Sequence, residues 1–151
     1  MSGRALLELE TFVPYRLSVL SNTLSQAIAR VYEKQFGLSV TEWRAIAVLG
    51  HCANLSAREV AERTAMDKVA ISRAVARLLA KGQIERGTAP HDKRQSVLRL
   101  SAEGWRIYDQ IAPLALEHER RLLAHLDAEE RQWLARILDT LWQAERAELM
   151  R

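Results

Sequence analysis

Two short amphipathic segments in the middle of the chain, only three residues apart, constrain the fold most strongly. The first opens at Ser56-Ala57-Arg58-Glu59, a capping box in which serine and glutamate bond each other's backbone N–H groups, and extends to about Arg63. The second opens at Asp67 and extends to about Lys81, with apolar residues every three or four positions. Because Thr64-Ala65-Met66 is a tight connection, we predict a helix-turn-helix pair over 56–63 and 67–81.

Amphipathic helices are also predicted before this pair. An apolar stripe over 14–36 starts at Pro14, which suits a first helical turn, and stops before Gly37, which suits a helix end. Ser39 and Glu42 form a second capping-box pattern, which opens a helix to about Cys52. The sequence therefore predicts two helices on the N-terminal side of the helix-turn-helix pair.

The C-terminal third is predicted to be helical as well. Ser101 is placed to cap a helix, which we expect Pro113 to kink or to restart at about Ala112, because proline cannot donate a backbone hydrogen bond. Asp127 and Glu130 form a third capping-box pattern, and an apolar stripe follows it to Trp142.

The apolar pattern changes after Gly82 from helical spacing to alternation, which predicts a β-hairpin. Residues 83–86 and 96–100 alternate as strands do, and the polar residues 87–95 between them are rich in turn formers. We expect a charged tip that is too long for a two-residue turn. The predicted fold is mainly α with a small β-hairpin wing.

Length and composition exclude several classes of protein. The 151 residues suit about one domain, and 48% hydrophobic with 27% charged residues is ordinary for a globular chain. No apolar run is long enough for a membrane-spanning helix, and residues 1–10 lack the apolar core of a signal peptide. The single Cys52 has no partner within the chain, so we expect a reducing cytoplasm.

The net charge of +3 conceals an uneven distribution. Residues 56–100 carry ten basic and five acidic side chains, whereas residues 101–151 carry seven basic and ten acidic ones. The basic segment coincides with the helix-turn-helix pair and the hairpin, which is the electrostatic pattern of a nucleic-acid-binding module.

Two groups of side chains are the predicted contacts to double-stranded DNA. The core positions of helix 67–81 leave a polar face outward, and the N-terminal half of such a helix normally enters the major groove. Arg73 is suited to bidentate contact with guanine, and Arg94 at the hairpin tip is suited to a narrow minor groove. The helix group is Lys68, Val69, Ser72, Arg73 and Arg77, and the hairpin group is His91, Asp92, Lys93 and Arg94. The alternative for each is an ordinary solvated surface.

These segments resemble the MarR family of bacterial winged-helix transcriptional regulators over about residues 14–145. The segment 37–43 is similar to that family's entry to its second helix, and 71–86 to its recognition helix running into the wing. Asp92-Lys93-Arg94, followed by Leu98-Arg99-Leu100-Ser101 and Gly104, resembles the wing tip and the return to the next helix. Gln83 and Gln95 depart from the family's usual apolar and small residues.

The resemblance implies a winged helix-turn-helix over 37–100, flanked by helical dimerisation regions over 1–36 and 101–151, in one compact chain. It implies a homodimer in which these helices interleave, and an Asp92 that holds the Arg94 side chain by a charge-assisted hydrogen bond. The apolar stripes at both ends agree with a dimer, although an intramolecular helical core is the alternative.

The functional prediction is a sequence-specific DNA-binding regulator, a homodimeric repressor of a pseudo-palindromic operator that a small aromatic or phenolic effector releases. The effector-pocket candidates are Tyr15, Arg16, Trp43 and His51, for which core aromatics beside a surface arginine are the alternative. An activator, a ligand-independent regulator, and a helical ligand-binding or protein-interaction module that does not bind DNA stay open. No catalytic constellation, cofactor motif or close metal-ligand spacing is found, so we expect neither an enzyme nor a cofactor.

Overall fold

The computed structural model describes residues 3–151, and the predicted fold class is confirmed. Within these residues a two-stranded antiparallel hairpin interrupts a series of six helices. The elements are α1 (Val13–Phe36), α2 (Val40–His51), α3 (Ala57–Thr64), α4 (Lys68–Ala80), β1 (Ile84–Ala89), β2 (Asp92–Leu100), α5 (Ala102–Leu123) and α6 (Ala128–Leu149). The chain forms two compact units, the first ending at Pro113 and the second comprising Leu114–Arg151.

The helix-turn-helix pair forms as its capping residues predict. Ser56 and Glu59 make both hydrogen bonds of the capping box at the start of α3, and the bond from the Ser56 backbone N–H lowers the pKa of Glu59. Asp67 accepts from the backbone N–H of Ala70 at the start of α4. Ala65 closes α3 in the left-handed conformation with a φ of 52°, which lets the chain reverse within three residues.

The core of the first unit is built where α2, α3 and α4 meet. Ile46 and Leu49 of α2, Val60 of α3, and Ile71 and Leu78 of α4 are all buried and belong to one apolar cluster. Since the buried residues of α4 recur at helical spacing, burial of one face fixes which side chains of α4 point outward.

The hairpin is longer than the sequence predicted. The strands extend to Ala89 and Asp92, so only Pro90 and His91 lie between them, and the expected long loop over 87–95 is wrong. The register explains the difference, because Thr88 pairs with Ser96 whereas Ala89 pairs with Asp92. The residues 93–95 form an irregularity within β2, so extended backbone and turn-forming composition coexist at the tip.

A short bridge attaches the base of the hairpin to the helices. Leu55, between α2 and α3, exchanges two backbone hydrogen bonds with Leu98 of β2, with N···O distances of 2.7 and 3.3 Å. Asn54 before it has a positive φ of 62°, a conformation that asparagine tolerates better than most residues. No pattern in the sequence predicts this bridge.

Helix α5 continues through Pro113, so the expected restart at Ala112 is wrong. The helix is continuous from Ala102 to Leu123 with Pro113 in its interior. A proline costs the helix one hydrogen bond, but the turns on both sides retain theirs and can continue the helix. At the N-terminus of α5, Ser101 accepts from the backbone N–H of Gly104, which confirms the predicted cap.

The second unit contains the end of α5 and all of α6. Asp127 and Glu130 make both hydrogen bonds of the predicted capping box, and the Arg131 side chain donates to the carbonyl of Leu123. No residue of α6 is buried in the single chain, although the helix carries several large apolar side chains.

The turn between α4 and β1 packs closely against the start of α5. The Gln83 carbonyl accepts from the Ser101 backbone N–H, and a methyl group on Gly104 would collide with that same carbonyl. The Gln83 side chain is buried, and its Oε1 has no hydrogen-bond partner within residues 3–151. Gly104 is therefore required by close approach of two backbone segments.

We predict that Gly104→Ala lowers the free energy of unfolding by about 1–3 kcal/mol, because the added methyl group must displace the Gln83 backbone. Urea unfolding followed by circular dichroism measures the change. Gly3→Ala is the matched control, since nothing lies within 4 Å of its new methyl group. Equal stability of Gly104→Ala and wild type would contradict the close approach.

Candidate nucleic-acid interface

Helix α4 presents the predicted contact residues on one exposed face. Ile71, Ala74, Val75 and Leu78 are buried, which leaves the positions between them in solvent. All five predicted helix residues are exposed: Lys68, Val69, Ser72, Arg73 and Arg77. The face therefore combines cationic, hydroxyl and small apolar groups, as readout of base edges and phosphates requires.

The cations on this face are not equivalent. Arg77 donates from Nε to Glu42 Oε1 over 3.1 Å, whereas Lys68 and Arg73 form no ion pair with any described residue. Lys81, just beyond the end of α4, lies 3.4 Å from Glu42 Oε2 and 3.4 Å from the Gly37 carbonyl oxygen. Arg73 is thus available to an external anion, while Arg77 is already held on one side.

Glu42 is a buried residue whose contact with this face of α4 was not predicted from the sequence. Its side chain forms only half of the expected capping box: Ser39 caps the Glu42 backbone N–H, but the carboxylate does not return to the Ser39 backbone. The carboxylate instead accepts from the Ser39 hydroxyl and from Arg77. The partners lie 35 residues apart, so the sequence offers only the spacing of Arg77 and Lys81, which places them on one side of α4.

The hairpin tip carries the second group of predicted residues. His91, Lys93 and Arg94 are exposed and Asp92 is half-buried. Asp92 Oδ1 accepts from the backbone N–H of Arg94 over 3.0 Å, and no ion pair joins it to the Arg94 guanidinium among the described residues. The expected side-chain bond is therefore wrong in this structure: the carboxylate shapes the turn backbone and leaves the guanidinium in solvent.

The effector-pocket candidates fall in two places. Tyr15 and Arg16 line a depression of about 550 Å³ on α1, together with Val13, Leu17, Val19, Leu20 and Thr23. Trp43 and His51 do not line it; both are on α2, where His51 is the exposed last residue. The lining is mainly apolar with one guanidinium, which suits a small organic anion.

Trp43 belongs to an aromatic cluster that joins three helices. Its ring lies 5.8 Å from that of Tyr32 on α1 and 6.1 Å from that of Tyr108 on α5, and Tyr108 contacts Trp105 edge to face at 5.4 Å. Tyr32 is 1% exposed, and burial raises its pKa to about 12, with the Glu33 carboxylate acting in the same direction. The cluster fixes α1 and α2 beside the start of α5.

Two further properties bear on the class of protein. Within residues 3–151, no group of three histidine, cysteine, aspartate or glutamate side chains is arranged to hold a metal ion. No helix in that part of the chain combines the length and apolar character needed to cross a membrane.

Comparison with known proteins finds similarity to one family of regulators. The sequence profile of the MarR family matches residues 36–95, which include α2 to α4 and the tip of the hairpin. The crystal structure of a MarR/EmrR family transcriptional regulator from Acinetobacter sp. ADP1 is 28% identical, with a TM-score of 0.85 over 93% of this chain and 99% of the other. The chain is therefore similar to the regulators of the MarR family, in its sequence over residues 36–95 and in its fold over most of its length.

Two more transcriptional regulators are similar to this chain. The HTH-type transcriptional regulator BilQ of Clostridium symbiosum is 29% identical over 113 residues, which are 75% of this chain and 78% of BilQ. Sco3205, a MarR family regulator from Streptomyces coelicolor solved in complex with DNA, has the same fold with a TM-score of 0.75. It is 22% identical and covers 95% of this chain, which in turn covers 92% of it.

The proteins to which this chain is similar are DNA-binding transcriptional regulators and not enzymes. The predicted resemblance to the MarR family and the absence of an enzymatic role are thereby confirmed. The residues that contact DNA are not fixed by the comparisons, so the exposed groups on α4 and at the hairpin tip stay predictions.

We predict that the stability of the protein falls as the pH rises from 10 to 12, because Tyr32 ionises in the unfolded chain near pH 10 but in the folded chain near pH 12. Below pH 10 the protonated Tyr32 makes its full contribution to the free energy of unfolding. About 2–3 kcal/mol of that free energy is lost once the pH exceeds 12. Urea unfolding of wild type and Tyr32→Phe across this range measures it.

The phenylalanine variant should lose less stability over this pH interval, since it has no phenol to ionise. Tyr15→Phe is the matched control, because it removes the same hydroxyl group from an exposed side chain. Parallel pH profiles for wild type and Tyr32→Phe would contradict the raised pKa.

Proposed function

We propose that the protein is a homodimeric repressor that binds a pseudo-palindromic DNA operator and is released by a small organic effector. The observation that carries the DNA-binding part is the exposed cationic face of α4, adjoining an exposed cationic hairpin tip within the basic segment 56–100. Regulators of this kind place one recognition helix in each of two successive major grooves, so half-sites are expected about one helical turn apart.

The two groups of predicted residues take different roles in this complex. Arg73, free of internal ion pairs among the described residues, is placed for bidentate contact with guanine, and Ser72 and Lys68 for a base edge or phosphate. Val69 offers an apolar contact to a thymine methyl group. At the hairpin tip, Arg94 enters the minor groove and His91 and Lys93 add charge, while Asp92 holds the turn backbone.

Dimerisation is proposed from apolar side chains that the single chain leaves in solvent. On α6 the stripe of Trp133, Leu134, Ile137, Leu138, Leu141 and Trp142 is 37–55% exposed. On α1, Val13, Leu17 and Leu20 are 44–52% exposed and recur at helical spacing. Because single-chain folding does not bury these stripes, a second copy is the proposed cover for the helical regions 1–36 and 101–151. Residues 1 and 2 of that region lie outside the described residues.

The effector is proposed to act at the α1 depression. Tyr15 and Arg16 provide an aromatic ring and a cation, so an aromatic or phenolic acid fits the chemistry of the lining. Trp43 and His51 would join the site only through a rearrangement or a second copy. Since α1 also carries the proposed dimer stripe, an occupant would change the spacing of the two recognition helices and so bias DNA affinity.

Activation of transcription, or regulation without a ligand, is the alternative within the same fold. A module that does not bind DNA is disfavoured by the similarity to the MarR family. We place the protein in the cytoplasm, where a regulator reaches the chromosome and where the half-buried Cys52 stays reduced.

We predict that affinity for duplex DNA falls steeply with salt, because each phosphate contact releases counterions. A titration series over increasing salt, on a duplex selected from a random pool and on a scrambled duplex, measures the slope. Arg94→Ala should weaken binding while the dimer stays intact, and Arg73→Ala should also reduce the preference for the selected duplex.

The matched control is Arg121→Ala on α5, which changes the net charge equally but lies outside the proposed DNA contacts on α4 and the hairpin. Failure of the wild-type protein to bind any duplex at low salt would overturn the proposal. An unchanged affinity of Arg94→Ala would remove the hairpin tip from the interface.

We predict that Leu138→Glu converts the dimer into a monomer, because a carboxylate in the middle of the α6 stripe cannot be buried without a partner. Light scattering after size-exclusion chromatography measures the mass. Gln143→Glu, on the opposite side of α6, is the matched control and should remain dimeric. A wild-type protein that is monomeric at all concentrations would contradict the proposed dimer.

A further inference from the structure

Glu42 is a buried carboxylate placed between the start of α2 and the end of α4. It is 4% exposed, and its Oε1 accepts from the Ser39 hydroxyl and from Arg77 Nε. Its Oε2 lies 3.4 Å from Lys81 Nζ. A buried carboxylate is tolerated only when cations and donors surround it, so Glu42 and these two basic residues form one coupled group.

The contact leaves the outer part of Arg77 unoccupied. Only Nε donates to Glu42, and neither terminal nitrogen makes a hydrogen bond within residues 3–151. The Arg77 side chain is 51% exposed, whereas that of Glu42 is 5% exposed. Because the guanidinium is a rigid plane, fixing Nε from the inside also fixes the direction of the two terminal nitrogens.

Arg77 lies one turn after Arg73 on the same exposed face of α4. Base contacts come mainly from the N-terminal part of a recognition helix, so a residue near the C-terminus of α4 is suited to the DNA backbone. A fork with two outward nitrogens matches the geometry of phosphate oxygens.

We propose that Glu42 is a positioning residue. By accepting a hydrogen bond from Arg77 Nε, it orients the two terminal nitrogens of Arg77 to donate to a DNA phosphate. Lys81 completes the group by tying the end of α4 to the Gly37 carbonyl, which fixes the helix relative to the α1–α2 turn. Arg73 has no such internal partner among the described residues and can adapt to a base edge. This inference rests on the proposed DNA-binding role of α4.

The first test is the salt dependence of Arg77→Ala on the selected and the scrambled duplex. Loss of one phosphate contact should make the negative slope of log affinity against log salt shallower by about 0.9 on both duplexes. A slope equal to that of wild type would overturn the proposal, since Arg77 would then contact no phosphate.

The second test is a double-mutant cycle between Glu42→Gln and Arg77→Ala, measured by DNA affinity at one salt concentration. Glu42→Gln should weaken binding by about fivefold or more when Arg77 is present, and by less than about twofold when Arg77 is alanine. A merely structural role of Glu42 predicts the same loss in both backgrounds, and that result would overturn the proposal.

Glu62→Gln is the matched control for this cycle, because Glu62 forms an exposed ion pair with Arg58 on α3 and should show no coupling to Arg77. Arg77→Lys provides a variant that keeps the positive charge near the buried carboxylate, but its single nitrogen cannot both pair with Glu42 and contact a phosphate. It should bind several-fold more weakly than wild type, and equal affinity would overturn the proposal.

Failure of the proposed DNA-binding function and failure of the proposed role of Glu42 can be distinguished by these measurements. A wild-type protein that binds no duplex removes the proposed interface and the role of Glu42 with it. A wild-type protein that binds with the expected salt dependence, but without coupling between Glu42 and Arg77, removes only the role of Glu42.

Discussion

Burial of one face of α4 against α2 and α3 is the constraint on which the rest of the molecule depends. Ile71, Val75 and Leu78 enter the common core, and their spacing leaves no freedom in the rotation of the helix about its axis. The outward direction of Arg73 and Ser72 is therefore a consequence of apolar packing and not of their own interactions. The proposed DNA-contacting surface of α4 is therefore already formed in the protein without DNA.

Core packing orients α4, and ion pairs then distinguish between the cations that it exposes. Among the cations of α4, Lys68 and Arg73 form no ion pair with the described residues, while Arg77 shares the buried carboxylate of Glu42 with Lys81. Rotation is set by the core, and the end of the helix is additionally tied to the turn that follows α1. The free and the held cations suit different targets, because base edges vary among operators whereas the phosphate backbone does not.

Local signals were sufficient for the parts of the fold that depend on neighbouring residues. Ser56, Asp67 and Asp127 each cap the predicted helix, since a capping bond spans only three residues. Long-range contacts could not be predicted in this way. The bridge of Leu55 to Leu98 and the ion pair of Glu42 with Arg77 join residues whose proximity depends on the completed fold.

The errors have the same physical origin. The segment 87–95 is rich in turn-forming residues, as loops are. Pairing across the hairpin nevertheless extends both strands, so the irregular residues 93–95 lie inside β2. Pro113 is typical of a helix end, yet the helical pattern on both sides of it continues through the missing bond. In the site, exposure of the predicted residues followed from the helical pattern, whereas Asp92 contacts the backbone of Arg94 because the turn conformation decides which donor is nearer.

The Leu55–Leu98 bridge has a mechanical consequence for the hairpin. Two backbone hydrogen bonds anchor β2 where it leaves the core, while the register breaks near the tip between Thr88 and Ala89. Stiffness therefore decreases along the hairpin from its base to Arg94. In the proposed complex with DNA, the base would transmit any displacement of the helices, while the tip would adapt to differences in groove width between DNA sequences without disturbing the core.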